Sequence, residues 1–249
     1  MAELKSSYDT VIAGAGPAGC IIARDLAKKG KISVLLLEAK SESNLGHDWW
    51  DSVEFGIFPE VDLAKPAGKE NLPQGKTRFL SPSGKTSFLL PPSQSFSIDR
   101  KLFGERLVNL VKTTAAQFLP EAKATDLILD GEQVVGVKFK QKGSSEEVTS
   151  KLVIDTTGFA AVLRKSFPEN EWFPHSLLSS DTFVTFREIR ENTDPEDAGI
   201  ANVWFGRHRG VQWISKDKPG LIDFFGGVIG LEGHPSPKEL VKELIETTP

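Results

Sequence analysis

The sequence predicts an α/β fold in which a parallel βαβ unit is interleaved with a mainly antiparallel β domain, and three observations carry that expectation. Residues 9–38 hold an apolar run, a glycine turn, a helix-period segment and a second apolar run, in that order. A later apolar strand ends in Asp155-Thr156-Thr157-Gly158. The final third is built of short aromatic strands broken by glycine, and the early alternation of strand and helix stops there.

Taken in order, residues 9–13 end at Gly14 and read as a buried strand. From Pro17 to Lys29 the apolar residues Ile21, Ile22, Leu26 and Ala27 recur at helical spacing, and Gly30 stops the helix. Residues 32–38, ISVLLLE, are apolar almost to Glu38, as in a strand covered on both faces. Two parallel strands need a crossover, and the helix between them supplies it. Residues 76–90 read as two short strands about a Pro82-Ser83-Gly84 turn. A second long helix is predicted over Arg100–Phe118, with Leu102, Phe103, Leu107, Leu110, Val111 and Phe118 on one face and Asp99 as its N-cap. Asp130-Gly131 and Gly143-Ser144-Ser145 mark hairpin turns. DTFVTFREI, ANVWFGRHRGVQWIS and LIDFFGGVIGL follow as strands, and an amphipathic helix spans about residues 236–246.

Composition narrows the function classes. The chain has 249 residues, 39% hydrophobic and 26% charged, the profile of a globular protein with one large or two smaller domains. A net charge of -4 without a basic block argues against a nucleic-acid partner. No apolar run approaches the roughly 20 residues needed to span a bilayer, and MAELKSSYDT lacks the apolar core of a signal peptide. The expected location is cytoplasmic, with peripheral membrane contact left open. Cys20 is the sole cysteine, which leaves no intrachain disulfide or thiolate cluster. His47, His175, His208 and His234 lack ligand spacing, so no metal site is expected.

Gly14, Gly16 and Gly19 form a G-x-G-x-x-G pattern between a predicted strand and a predicted helix, and Glu38 closes the next strand. Gly14 permits the tight turn, Gly16 lets the backbone approach a pyrophosphate, and Gly19 allows close packing of helix on strand. The helix N-terminus at Pro17 and Ala18 faces phosphates with the free N–H groups that follow Pro17, which itself has none. Glu38 is placed to accept from a ribose diol, and its charge repels a 2'-phosphate. The site therefore suits FAD or NAD better than NADP. Cys20, on the same helix, reads as a small packing residue with a redox role as the alternative.

Together with the GAGPAG turn, the segment LVIDTTGFAAVLR at 152–164 resembles the flavoprotein monooxygenase and geranylgeranyl reductase superfamily. That family has a strand ending in Asp-x-x-Gly followed by an arginine, matched here by Asp155, Gly158 and Arg164. Ser97-Ile98-Asp99-Arg100 looks like the entry to the family's central helix, which makes Arg100 a flavin or phosphate contact, and TDLILDGEQVVGVKF resembles the hairpin beside the adenine. The resemblance implies FAD as cofactor and a cofactor site of Gly14, Gly16, Pro17, Ala18, Gly19, Glu38, Ala39, Arg100, Asp155 and Gly158. It also implies a Rossmann-like FAD-binding domain at 1–60 and 95–165, interleaved with part of a substrate domain at 61–94 and 166–249.

The order of segments and the aromatic tail look most like the geranylgeranyl reductase branch, which reduces isolated double bonds of isoprenoid chains. That implies a hydrophobic small-molecule substrate, with the electron donor unassigned. The branch's Tyr-x-Trp-x-Phe-Pro motif is met here by Val211-Gln212-Trp213-Ile214-Ser215-Lys216, which keeps only the tryptophan. Its flavin-facing cysteine loop falls at Gly46-His47-Asp48-Trp49-Trp50, without a cysteine. No Gly-Asp dipeptide, the family's third flavin motif, occurs in the chain, so the sequence is expected to be an N-terminal portion with an incomplete FAD site. A flavin monooxygenase or halogenase and a non-catalytic nucleotide-binding module are the alternatives; the halogenase Trp-x-Trp-x-Ile-Pro motif is absent.

No catalytic residue is assigned, because in flavin chemistry the cofactor carries the electrons. His47 is either a proton donor or part of a solvated loop. Trp204, Phe205, Trp213, Phe224 and Phe225 either line a substrate cavity or form core. Arg187, Arg190, Arg207 and Arg209 either receive an anionic head group or end strands in solvent.

Overall fold

The computed structural model describes residues 3–170, 172, 174–192, 198–230 and 233–247; Leu231 of the last predicted strand lies outside them. The βαβ unit forms as β1 (Ser7–Ala13), α1 (Pro17–Lys28) and β2 (Val34–Leu37). Then come β3 (Trp50–Glu54), the single turn α2 (Ile57–Glu60), β4 (Asn71–Leu72), β5 (Lys76–Leu80), β6 (Ser87–Leu90) and β7 (Ser95–Asp99). The second long helix, α3 (Arg100–Lys112), starts where expected because the Asp99 carboxylate accepts from the N–H groups of Lys101 and Leu102, both at 2.9 Å. It stops short of Phe118. The hydroxyls of Thr113 and Thr114 donate to the carbonyls of Leu110 and Val111, and the chain turns into β8 (Gln117–Leu119), where Phe118 pairs with Leu36.

Two long hairpin strands, β9 (Ala122–Asp130) and β10 (Gln133–Gln141), lead to β11 (Ser144–Asp155) and the short α4 (Val162–Ser166). Gly131 (φ 59°) and Gly143 (φ 88°) make the turns at the predicted places. The chain continues as β12 (Phe183–Glu191), β13 (Ile200–Phe205), β14 (Gly210–Ser215), β15 (Leu221–Ile229) and α5 (Pro237–Thr247).

These elements form two units: Met1–Asp51 with Phe58–Glu70 and Ile98–His175, and Ser52–Ile57 with Asn71–Ser97 and Ser176–Pro249. The division differs from the expected one at residues 52–57 and 95–97, which join the second unit, and at 61–70 and 166–175, which join the first. Arg24, 3% exposed, donates to the carbonyls of Val61 (2.5 Å) and Asp62 (3.1 Å), and Arg106 donates to Glu70 and to the Ala64 carbonyl. Two arginines thus hold 61–70 to the first unit. Ser166 accepts from Leu127 N–H, and the His175 ring reaches the Phe167 carbonyl at 2.7 Å.

The first unit is a six-stranded sheet in the order β8-β2-β1-β11-β10-β9, parallel from β8 to β11 and antiparallel beyond. Val11, Ala13, Leu35 and Leu37 meet Val137, Phe139, Val148 and Leu163 in one core. Thr10, Ile12, Val34 and Leu36 alternate onto the other face, where α1 and α3 pack.

The second unit is a six-stranded sheet in the order β12-β15-β14-β13-β5-β6, antiparallel except for β5 beside β13. On one face α5 inserts Leu240, Val241 and Leu244 against Ile222 and Phe224. Gly226 admits the helix, since a Cβ there would stand 2.9 Å from the Pro237 carbonyl oxygen. On the opposite face Phe88, Phe79, Val203, Trp213, Phe225 and Arg187 lie in one register row across all six strands. Trp213 stacks on Phe225 with ring centroids 3.6 Å apart.

Candidate functional site

In the first unit, the carboxyl ends of β1, β2 and β11 converge because Ala13 pairs with both Leu37 and Asp155. The turn after β1 is shaped by what a side chain would strike. A Cβ on Gly14 (φ 103°) would lie 2.4 Å from the Thr156 carbonyl oxygen, and one on Gly19 would lie 2.0 Å from the Gly14 carbonyl oxygen. Both glycines serve packing. Gly16 has nothing within 4 Å of its Cβ position, so its freedom serves the space in front of α1. It is the helix N-cap, supplies no side-chain bond, and leaves the first N–H groups open toward that space, the arrangement that suits an anion.

That space is a cavity of about 540 Å³ wholly within the first unit. Of the ten sequence-predicted residues it is lined by Gly14, Gly16, Pro17, Ala18, Glu38, Ala39, Arg100 and Gly158. Gly19 lies beneath the turn. Glu38 accepts from Ala15 N–H at 2.7 Å and Lys40 N–H at 2.8 Å, tying the end of β2 to the glycine turn. Arg100 pairs with Asp51 at 2.7 Å, and its N–H donates to the Trp49 carbonyl.

Asp155 is placed differently from those eight. It does not line the cavity, and both its oxygens are engaged. One accepts from the N–H (2.9 Å) and hydroxyl (2.6 Å) of Thr157, the other from the N–H groups of Leu163 (2.9 Å) and Arg164 (2.8 Å). Burial alone would raise its pKa, but these four donors hold it below the usual carboxylate range. Asp155 therefore caps α4 and fixes the 156–162 loop, which brings Gly158 to the cavity.

Sequence reasoning missed Thr156. Its hydroxyl lies 2.8 Å from the carbonyl oxygens of both Ala13 and Gly14, locking β11 beneath the glycine turn. The signal was present in Asp-Thr-Thr-Gly, where the flanking residues drew the attention. Lys40, Lys123 and Phe103 also line the cavity, and no local pattern marks them.

The 45–50 loop reaches the same cavity through Leu45, Gly46 and His47. Gly46 (φ 76°) presses on α3, where a Cβ would lie 2.5 Å from the Arg100 carbonyl oxygen, and Gly104 leaves room for it. The His47 ring stacks on Trp49 at 4.3 Å. Cys20 is 1% exposed, with its thiol pushed up to about 12 by burial and by the charge of Glu38, which fits packing rather than redox chemistry.

In the second unit the five aromatic candidates do not share a face. Phe205, Trp213 and Phe225 lie on the aromatic face, whereas Trp204 and Phe224 alternate to the other, Phe224 packing under α5. Arg187 is not a solvated strand end: with Trp213 Nε1 it donates to Asp223, which is 2% exposed. Arg190 pairs with Glu188 and Arg207 with Glu243. A hollow of about 660 Å³ beside Glu54, Phe55 and Ser95 has hydroxyls already bonded among themselves. Among the described residues no group of three or more His, Cys, Asp or Glu side chains could hold a metal, and no helix is long and apolar enough to cross a membrane.

No family model matches the chain. It is 25% identical over 255 residues to a digeranylgeranylglycerophospholipid reductase of Sulfolobus acidocaldarius, covering 99% of this chain and 55% of the relative. It is 31% identical over 172 residues to digeranylgeranylglycerophospholipid reductase 1 of Methanococcoides burtonii, covering 62% of this chain and 38% of the relative. The chain is thus similar in sequence to digeranylgeranylglycerophospholipid reductases. It spans roughly half the length of these relatives. Among solved structures, a geranylgeranyl bacteriochlorophyll reductase-like protein from Thermoplasma acidophilum matches with a TM-score of 0.80 at 21% identity, over 98% of this chain and 62% of that one. A flavin-dependent brominase, Bmp2, matches with a TM-score of 0.66 at 20% identity, over 97% and 61%. The α/β class read from the sequence is therefore the fold of the reductase-like structure.

Proposed function

We propose that the first unit binds FAD and that the chain belongs to an enzyme reducing carbon–carbon double bonds of isoprenoid lipid chains. The observation that carries this reading is the cavity in front of α1, where an uncapped helix N-terminus, the open position at Gly16, the Glu38 carboxylate and the Arg100 guanidinium face one space. The donor set fits the cofactor: N–H groups for a pyrophosphate, a carboxylate for a ribose diol, a guanidinium for a further oxygen. When bound and first reduced by an external two-electron donor, the flavin would supply the two electrons that, with two hydrogens added across the carbons, saturate a double bond and return it to oxidised FAD. Gly16, Pro17 and Ala18 would admit the phosphates, Glu38 would accept from the ribose, and Thr156 and Asp155 would keep the turn and the Gly158 loop in register. The substrate class follows from the homologues' names and agrees with the aromatic face of the second unit, where Phe79, Phe88 and Trp213 offer apolar surface to a hydrocarbon chain. A lipid substrate also calls for contact with a membrane surface.

The cofactor is tested by reconstitution of the chain with FAD. A yellow protein with perturbed flavin bands supports the reading, and a chain that stays colourless and leaves flavin fluorescence unchanged overturns it. The reaction is tested with chemically reduced flavin in the longest available protein. Anaerobic saturation of a geranylgeranyl lipid, seen as a gain of two mass units per double bond, supports a reductase; oxygen consumption with hydroxylated or halogenated product points to the monooxygenase side of the fold.

A further inference from the structure

His47 stands in the wall of the FAD cavity, in a setting that couples its protonation to the charge of whatever enters. The cavity wall also carries Lys40, Arg100 and Lys123, whereas its one carboxylate, Glu38, is already engaged by two backbone N–H groups. Lys40 Nζ reaches the Gly46 carbonyl at 3.3 Å, one residue from the imidazole, and Arg100 follows from the backbone that Gly46 touches. Asp48 and Asp51 act on the ring in the opposite sense, but Asp51 is paired with Arg100 and Asp48 lies 3.8 Å from Lys101. The imidazole stacks on Trp49, and Gly46 sits against the start of α3. Partial burial first, then Lys40 and Arg100, hold it below the ordinary histidine range against the opposite pull of Asp51 and Asp48.

We propose that His47 is a binding residue for the anionic part of the dinucleotide, taking a proton from solvent as the ligand enters and donating it in a hydrogen bond to a ligand oxygen. A ligand with two phosphate charges offsets Lys40 and Arg100 and adds an attraction of its own, both of which favour the imidazolium. By linkage, the extra affinity is fully present below the pKa of the free protein and is lost as pH rises through the raised pKa of the complex. Each unit by which the ligand raises that pKa gives about tenfold in affinity between the two limits. The inference rests on the reading of this cavity as an FAD site.

The test is calorimetric titration of FAD into the chain near pH 7 in two buffers of different ionisation enthalpy, with an NMR titration of the His47 ring. Wild-type protein is expected to take up a measurable fraction of a proton per FAD, to bind more tightly as pH falls from about 8 to 6, and to show the ring pKa rising on binding. His47→Gln should bind FAD with no uptake from this site and a flat pH profile, and riboflavin, which lacks phosphates, should shift the ring little. FAD binding with the same proton count in wild type and H47Q, or with an unmoved His47 resonance, overturns the proposal and leaves the FAD reading standing. No FAD binding at any pH overturns both.

Discussion

Replacing Asp155 by asparagine removes one acceptor oxygen from a carboxylate that receives four hydrogen bonds, two on each oxygen. The amide nitrogen must then face two N–H groups, or one N–H and the Thr157 hydroxyl. Only the hydroxyl can turn to accept. Hydrogen bonds to a charged group contribute roughly 1.5–3 kcal/mol each, so losing two with partial recovery at Thr157 places the cost at about 2–4 kcal/mol. Because the pKa of Asp155 is lowered in the folded chain, its stabilisation is present above the unfolded value of about 3.9 and is lost as pH falls through the folded one. The difference between wild type and D155N should therefore be full at pH 7 and shrink in acid. Urea unfolding followed by circular dichroism reads the stability, and hydrogen exchange with mass spectrometry on the 155–166 segment reads the capping directly, since the Leu163 and Arg164 amides lose protection. A variant within about 0.5 kcal/mol of wild type at pH 7, with unchanged exchange there, would refute the capping role.

Gly19→Ala and Gly16→Ala should separate packing from binding. The first drives a Cβ into the Gly14 carbonyl and should cost about 1–3 kcal/mol of stability; the second meets open space, should leave stability unchanged and should still weaken FAD binding, which thermal melts and flavin titration check. Glu38→Ala frees the N–H groups of Ala15 and Lys40 and removes the ribose acceptor; FAD affinity should fall about ten- to a hundredfold by fluorescence titration, the weight of one charge-assisted bond. Unchanged affinity would remove the ribose role. Asp223→Ala removes the buried carboxylate to which Arg187 and Trp213 donate and should destabilise the second unit by about 2–4 kcal/mol, whereas the double change Arg187→Met, Asp223→Leu should recover much of that, as measured by tryptophan fluorescence in urea.

What could be read in advance was local. The strand–turn–helix–strand run, the two glycine hairpins and the Asp99 cap each depend on residues within a few positions of one another, where periodicity and turn chemistry speak directly. The same locality explains the misreading at Phe118: apolar spacing continues past Lys112, but the threonine hydroxyls take the last helix carbonyls and pairing with β2 claims the rest. Gly16, Glu38 and Arg100, which the sequence singles out at element boundaries, line one cavity.

By itself the sequence determined that a dinucleotide-type turn exists, that Glu38 follows it on the next strand, and which side chains alternate along each strand. Only the tertiary structure decided that β11 returns beside β1. That pairing puts Thr156 beneath Gly14 and sets Asp155 where it caps a helix. It also decided which face of the second sheet takes α5, and so that Phe224 rather than Phe225 lies under the helix. The physical reason is common to these cases: alternation is a property of one strand, whereas pairing partner, register and covered face are set by burial against segments tens to more than a hundred residues away in the chain.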